Sequence, residues 1–110
     1  MKKRKVMNEE IKAITEKFVK ELSPLKVYLF GSYARGNFTS ESDYDFYILM
    51  PDSYNVTNDT SAKAYLSLRG LKRKPVDIVI NTQQVFTSRS NLTNTLENTV
   101  KKEGLILYEK

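Results

Sequence analysis

The residue pattern predicts an α+β fold, α/β-like in the way its elements alternate: a small mixed β-sheet with helices packed on one side. Three observations lead there. Apolar residues recur at helical spacing over residues 8–22, four short apolar runs of strand type are bounded by Gly, Pro and polar clusters, and the connections between them are short. The expected order is helix, strand, strand, helix, strand, helix, strand, with residues 7–110 forming one domain behind a basic tail at 1–6.

Ile11, Ile14, Phe18 and Leu22 form the stripe of the first helix, with Met7 one turn earlier. Asn8 suits its N-cap, Glu9 and Glu10 complement the positive end of the helix dipole, and Ser23-Pro24 stops it. Residues 26–30 make the first strand and deliver the chain to Gly31; residues 32–35 make a short helical turn ended by Gly36, and 37–42 a loop. The run 44–50 is apolar on both faces, as a central strand requires. Its alternation puts Asp43, Asp45, Tyr47 and Leu49 on one face and Tyr44, Phe46, Ile48 and Met50 on the other, and Pro51 ends it.

Ala62, Tyr65, Leu66, Leu68 and Arg69 fit a second helix ending near Gly70. The basic turn Lys72-Arg73-Lys74 that follows reads as a solvated cluster beside a helix C-terminus, ahead of the alternative that it steers polyphosphate toward the site. The run 76–80 is the third strand, interrupted by Asp77. A helical turn carries Val85 and Phe86, then Leu92, Leu96 and Val100 mark a last helix capped by Gly104, and 105–108 is the final strand.

Chemistry concentrates between residues 30 and 49. Gly31 permits a tight turn and close approach of a ligand, and Ser32 can cap a short helix whose free N–H groups attract phosphate oxygens. Asp43 and Asp45, two apart in an extended segment, project from one face, where their charges repel unless a divalent cation lies between them. A phosphate-binding turn beside such a pair points to metal-assisted phosphoryl or nucleotidyl chemistry. Asp77 would ordinarily be an edge-strand residue facing water, but a third carboxylate on a neighbouring strand is what a two-cation site needs.

Gly31-Ser32, ten intervening residues and Asp43-Tyr44-Asp45 together resemble the signature of the DNA polymerase beta-like nucleotidyltransferase superfamily. The fuller strings, Gly31 to Gly36 and Ser42 to Phe46, are most similar to the minimal nucleotidyltransferases, a small bacterial branch encoded beside HEPN-domain toxins. The resemblance implies the nucleotidyltransferase fold and transfer of a nucleoside monophosphate, AMP from ATP, to an acceptor hydroxyl with release of pyrophosphate. It implies two Mg²⁺ ions, or Mn²⁺, on Asp43, Asp45 and Asp77, and it too places a third acidic residue on the strand of Asp77. Gly31 and Ser32 would grip the β- and γ-phosphates, and Ser42 is counted with the nucleotide-binding residues. Arg35 either adds charge near the phosphates or serves as a structural salt-bridge partner.

Composition narrows the alternatives. The chain has no cysteine and no histidine, so zinc–thiolate sites, disulfides, imidazole bases and His-dependent triads are excluded, and Asp77 is left as the candidate acceptor of the hydroxyl proton. No apolar run suits a membrane span or a signal peptide, which makes a cytoplasmic location the expectation. Of the net charge of +5, four of the 18 basic residues are Lys2, Lys3, Arg4 and Lys5, leaving 14 against 13 acidic residues elsewhere. Basicity confined to a tail argues against nucleic acid as the main partner. The expected partners are a nucleoside triphosphate and a HEPN-family protein, with a homo-oligomer left open. Two other readings stand beside the antitoxin enzyme: a non-catalytic module that neutralises a partner by occlusion, and a transferase acting on a small molecule or RNA.

Overall fold

The computed structural model describes residues 8–71 and 74–110; the basic tail at 1–6, Met7, and Lys72 and Arg73 of the basic turn lie outside the described residues. The elements run α1 (Glu9–Leu22), β1 (Lys26–Phe30), α2 (Ser32–Arg35), β2 (Tyr44–Met50), α3 (Asn58–Ser67), β3 (Val76–Thr82), α4 (Gln83–Ser90), α5 (Leu96–Glu103) and β4 (Leu105–Glu109). The strands form one mixed sheet in the order β3-β2-β1-β4, with β1 antiparallel to both neighbours and β2 parallel to β3. The α+β class and the central position of β2 agree with the residue pattern.

α1 starts where its cap predicts. The Asn8 side-chain oxygen accepts the Ile11 N–H at 2.7 Å, and Ser23 closes the helix in the left-handed conformation at φ 53°. Its stripe of Ile11, Ile14, Phe18 and Leu22 is buried in one cluster with Val27 and Leu29 of β1 and Phe46, Ile48 and Met50 of β2. α3 adds Ala64 to this layer, and Leu68, just past its end, joins it. Each fully buried side chain of this size contributes about 1.5–3 kcal/mol.

The helices are not confined to one side. Tyr28, Tyr47 and Leu49 give the sheet a second apolar face, and an apolar face must be covered. Phe86 of α4 and Val100 of α5 cover it. The two short helices are pinned there by a polar network: the Tyr47 hydroxyl donates to Glu97 at 2.7 Å, the Asn81 amide donates to the Tyr47 oxygen at 3.1 Å, and Arg89 pairs with Glu97 at 2.8 Å. Glu97 is only 3% exposed. Burial pushes its carboxyl up, but the hydrogen bonds from Tyr47 and Arg89 outweigh it and hold the group below the usual carboxylate range. Glu97→Ala should cost about 2–3 kcal/mol, since it leaves a buried hydroxyl and a guanidinium without their acceptor. Urea unfolding measures this as a lower midpoint at unchanged slope.

Two boundaries differ from the pattern for local reasons. α3 begins at Asn58 rather than near Ala62, because Thr57 and Thr60 form a reciprocal capping box, with the Asp59 N–H on Thr57 Oγ1 at 3.2 Å and the Thr57 N–H on Thr60 Oγ1 at 3.1 Å. The expected last helix from Leu92 is instead a turn followed by α5, because Thr95 caps at Asn98 N–H (3.0 Å) and Asn94 takes a positive φ of 68°. Leu92 stands in that turn, exposed.

Candidate active site

The site lies at the end of the sheet where β1 finishes and β2 and β3 begin. In the antiparallel register Phe30 faces Asp45, and in the parallel register Asp45 faces Asp77, so two neighbouring strands bring Asp45 and Asp77 side by side. Both belong to the face covered by α4 and α5. Tyr47 and Val79, two residues further along each strand, already pack under those helices, and the aspartates stay at the uncovered end.

Gly31 closes this end. The chain leaves β1 and turns at Gly31 with φ +77°, a conformation that L side chains rarely adopt, before entering α2. A Cβ there would fall on Asp45 Oδ2 and stand 3.1 Å from its Cγ. The loop backbone is therefore seated directly against the carboxylate. Gly31 itself occupies the N-cap position of α2 and Ser32 is its first residue, so Ser32 is not the helix cap that the sequence suggested. Gly36, at φ 85°, ends the turn through its N–H on the Ser32 carbonyl at 3.0 Å.

The electrostatics follow from this crowding. Burial, then the charge of Asp77, a carboxyl–carboxyl hydrogen bond with Asp77 and the charge of Asp43 push the Asp45 carboxyl up to about 6, while Arg35 pulls it down. Asp43, the residue before β2, is exposed and acts on Asp45 through its charge. Among the described residues no group of three or more His, Cys, Asp or Glu side chains is placed to hold a metal ion. The chain thus assembles an Asp45–Asp77 pair with Asp43 beside it rather than a closed three-carboxylate cage. That donor set fits Mg²⁺, which is held by one or two carboxylates with phosphate oxygens and water completing its shell.

The remaining predicted residues are placed as follows. The Arg35 guanidinium lies 3.7 Å from Glu103 at the end of α5, with both side chains about half exposed (47% and 46%). It is a salt-bridge partner while remaining near enough to Asp45 to lower its pKa, so both expected roles are open to it. Ser42 Oγ accepts the Thr39 N–H at 2.9 Å and the Ser42 N–H reaches the Thr39 carbonyl at 3.1 Å, which folds the loop ahead of Asp43. Two further residues stand beside these, and only Glu103 had no sequence signal. The other, Lys74 of the basic turn, donates to the Tyr33 hydroxyl at 2.8 Å and lies 5.2 Å over the rings of both Tyr33 and Tyr44. Tyr33 stacks on Phe38 at 4.2 Å, so Lys74 and this aromatic pair lock α2 and the loop in place. Lys74 is thus engaged within the fold, not solvated as the turn suggested.

Comparison with known proteins identifies the family. The nucleotidyltransferase domain family matches residues 11–103. The protein of Methanocaldococcus jannaschii named "Putative protein adenylyltransferase" is 28% identical over 108 residues, covering 98% of this chain and all of the relative. The solved structure of a toxin–antitoxin with AMP-PNP superposes with a TM-score of 0.67 at 22% identity, covering 94% of this chain and 75% of that one. A structure described as "a putative nucleotidyltransferase from Sulfolobus solfataricus" gives 0.58 at 21% identity, covering 100% of this chain and 93% of that one. These likenesses show the fold. With the family match spanning most of its length and the Gly31–Asp45–Asp77 arrangement at its centre, the chain belongs to the nucleotidyltransferase domain family and is a nucleotidyltransferase.

Proposed function

We propose that this chain uses ATP and divalent metal to transfer AMP to a side-chain hydroxyl of a HEPN-type toxin, and so acts as the antitoxin of a pair. The observation that carries the reading is the Asp45–Asp77 pair built directly against the Gly31 turn. The name of the Methanocaldococcus jannaschii relative and the toxin–antitoxin fold neighbours support the protein acceptor.

Asp43 and Asp45 would hold the metal. Mg²⁺ or Mn²⁺, when bound, offsets charge on the triphosphate and lowers the pKa of the acceptor hydroxyl. Gly31 and Ser32 bind the β- and γ-phosphates through backbone N–H groups and the Ser hydroxyl, Arg35 adds positive charge at the rim, and Ser42 shapes the nucleotide side of the loop. The acceptor oxygen attacks the α-phosphorus, the bond from that phosphorus to the pyrophosphate oxygen breaks, and the hydroxyl proton passes to Asp77. Asp77 would also help hold the metal from the neighbouring strand. It suits both roles because it is exposed and stands opposite Asp45 on the neighbouring strand. A bulky anionic adduct on a ribonuclease would then exclude RNA by shape and by like-charge repulsion.

Incubation with Mg-ATP and a HEPN protein encoded in the adjacent gene, followed by intact mass measurement of that protein, tests this. The expected result is a gain of one or more AMP units that Asp43→Asn abolishes. Inhibition of the partner with no mass change would replace this reading with neutralisation by occlusion, and no interaction at all would move the acceptor to a small molecule or RNA.

A further inference from the structure

The two edges of the sheet are finished differently. At the β3 edge, the Ile78 N–H donates to the Tyr65 hydroxyl at 3.0 Å, so a side chain from α3 occupies that edge. At the β4 edge the sequence is Leu105-Ile106-Leu107-Tyr108-Glu109, and its apolar side chains straddle both faces. Ile106 is 50% exposed and pairs with Tyr28, on the α4–α5 face. Leu107 and Tyr108 are half-buried on the α1 face, where a register shift in β4 turns both toward the core. Between them and α1 runs a groove of about 570 Å³ with an apolar floor of Val19, Leu107 and Tyr108. Its rim is Lys12, Glu16 and Lys20, all exposed and one helical turn apart.

We propose that this edge is a two-fold interface that takes a second copy of this chain, with β4 pairing antiparallel to its symmetry mate. A helix laid in the groove would cover Leu107 and Tyr108 and leave Ile106 in water, whereas an added strand covers both faces at once. The rim selects the copy. In an antiparallel α1–α1 arrangement centred near residue 14, Lys12 of each chain meets Glu16 of the other. The alternation is complementary to itself, as an isologous interface requires. This interface is independent of nucleotidyl transfer, because the groove and the Gly31–Asp45–Asp77 site share no residue.

Sedimentation equilibrium on the full chain, across roughly micromolar to submillimolar concentration, should report twice the mass of one chain at the upper end. Ile106→Lys should give the single-chain mass with an unchanged circular dichroism spectrum. Lys12→Glu, on an exposed helix position that does not threaten folding, should weaken association about tenfold, and Lys12→Glu with Glu16→Lys in the same chain should restore it. A parent that stays at single-chain mass throughout overturns the proposal. So does a dimer that survives both Ile106→Lys and Lys12→Glu, because its interface would then lie elsewhere.

Discussion

Asp45→Asn is expected to abolish transfer, with kcat lowered by about 10³-fold or more, while the fold gains stability in the absence of divalent metal. The activity loss follows from the proposed role and from position: Asp45 faces Asp77 across the parallel pairing and sits against the Gly31 turn. The stability gain follows from the carboxyl being pushed up to about 6 from 3.8 by burial and by its acidic neighbours. A raised acid binds its proton more tightly in the folded state, so its contribution is most favourable below pH 3.8 and is lost as pH rises through about 6. The difference in melting temperature between Asp45→Asn and the parent should therefore grow between these values and level off above them. Discounted for solvent screening, the gain at neutral pH is about 1 kcal/mol, or about 4 °C. Thermal melts of both proteins at pH 4, 5, 6 and 7 in chelator measure it. Added Mg²⁺ with ATP should reverse the order, stabilising the parent and not the variant. A pH-independent difference would mean that burial and the acidic neighbours do not raise the Asp45 carboxyl.

Gly31→Val is expected to be the most damaging single change in the proposed phosphate-binding turn. It forces a β-branched residue to φ +77° and drives a Cβ into the Asp45 carboxylate, so it disturbs the turn and Asp45 together. The cost is about 2–3 kcal/mol in stability and a loss of Mg-ATP binding beyond detection. Ser32→Ala, one residue away, removes a single hydroxyl contact and should weaken binding by about 1 kcal/mol, five- to tenfold. Calorimetric titration with Mg-ATP ranks the two. Equal and undiminished affinity in both would place the phosphates away from this turn.

Much of this site was legible in the residue pattern because its information is local. The face assignments of β2 rest on strict alternation over seven residues, and Asp45, Tyr47 and Leu49 do share one face with Tyr44, Phe46, Ile48 and Met50 on the other. The caps of α1, the turn at Gly31 and the stop at Pro51 depend on a few adjacent residues whose conformational limits are intrinsic. The family signature is likewise one continuous stretch.

What needed the tertiary structure is whatever depends on register and on long-range packing. Asp77 could be named as a third acid, but its place opposite Asp45 comes from the parallel pairing of β3 with β2, which no local pattern encodes. The reason for Gly31 is likewise non-local: the atom that its missing side chain spares belongs to Asp45 on the next strand. Arg35 could be read equally as phosphate ligand or salt-bridge partner until α5 brought Glu103 within reach, and Lys74 read as solvated until Tyr33 and Tyr44 closed around it. The second helical layer was missed for the same reason. α4 is short and weakly patterned, and the Tyr47–Glu97–Arg89 network that helps hold α4 and α5 to the sheet depends on Tyr47, which lies 50 residues before Glu97.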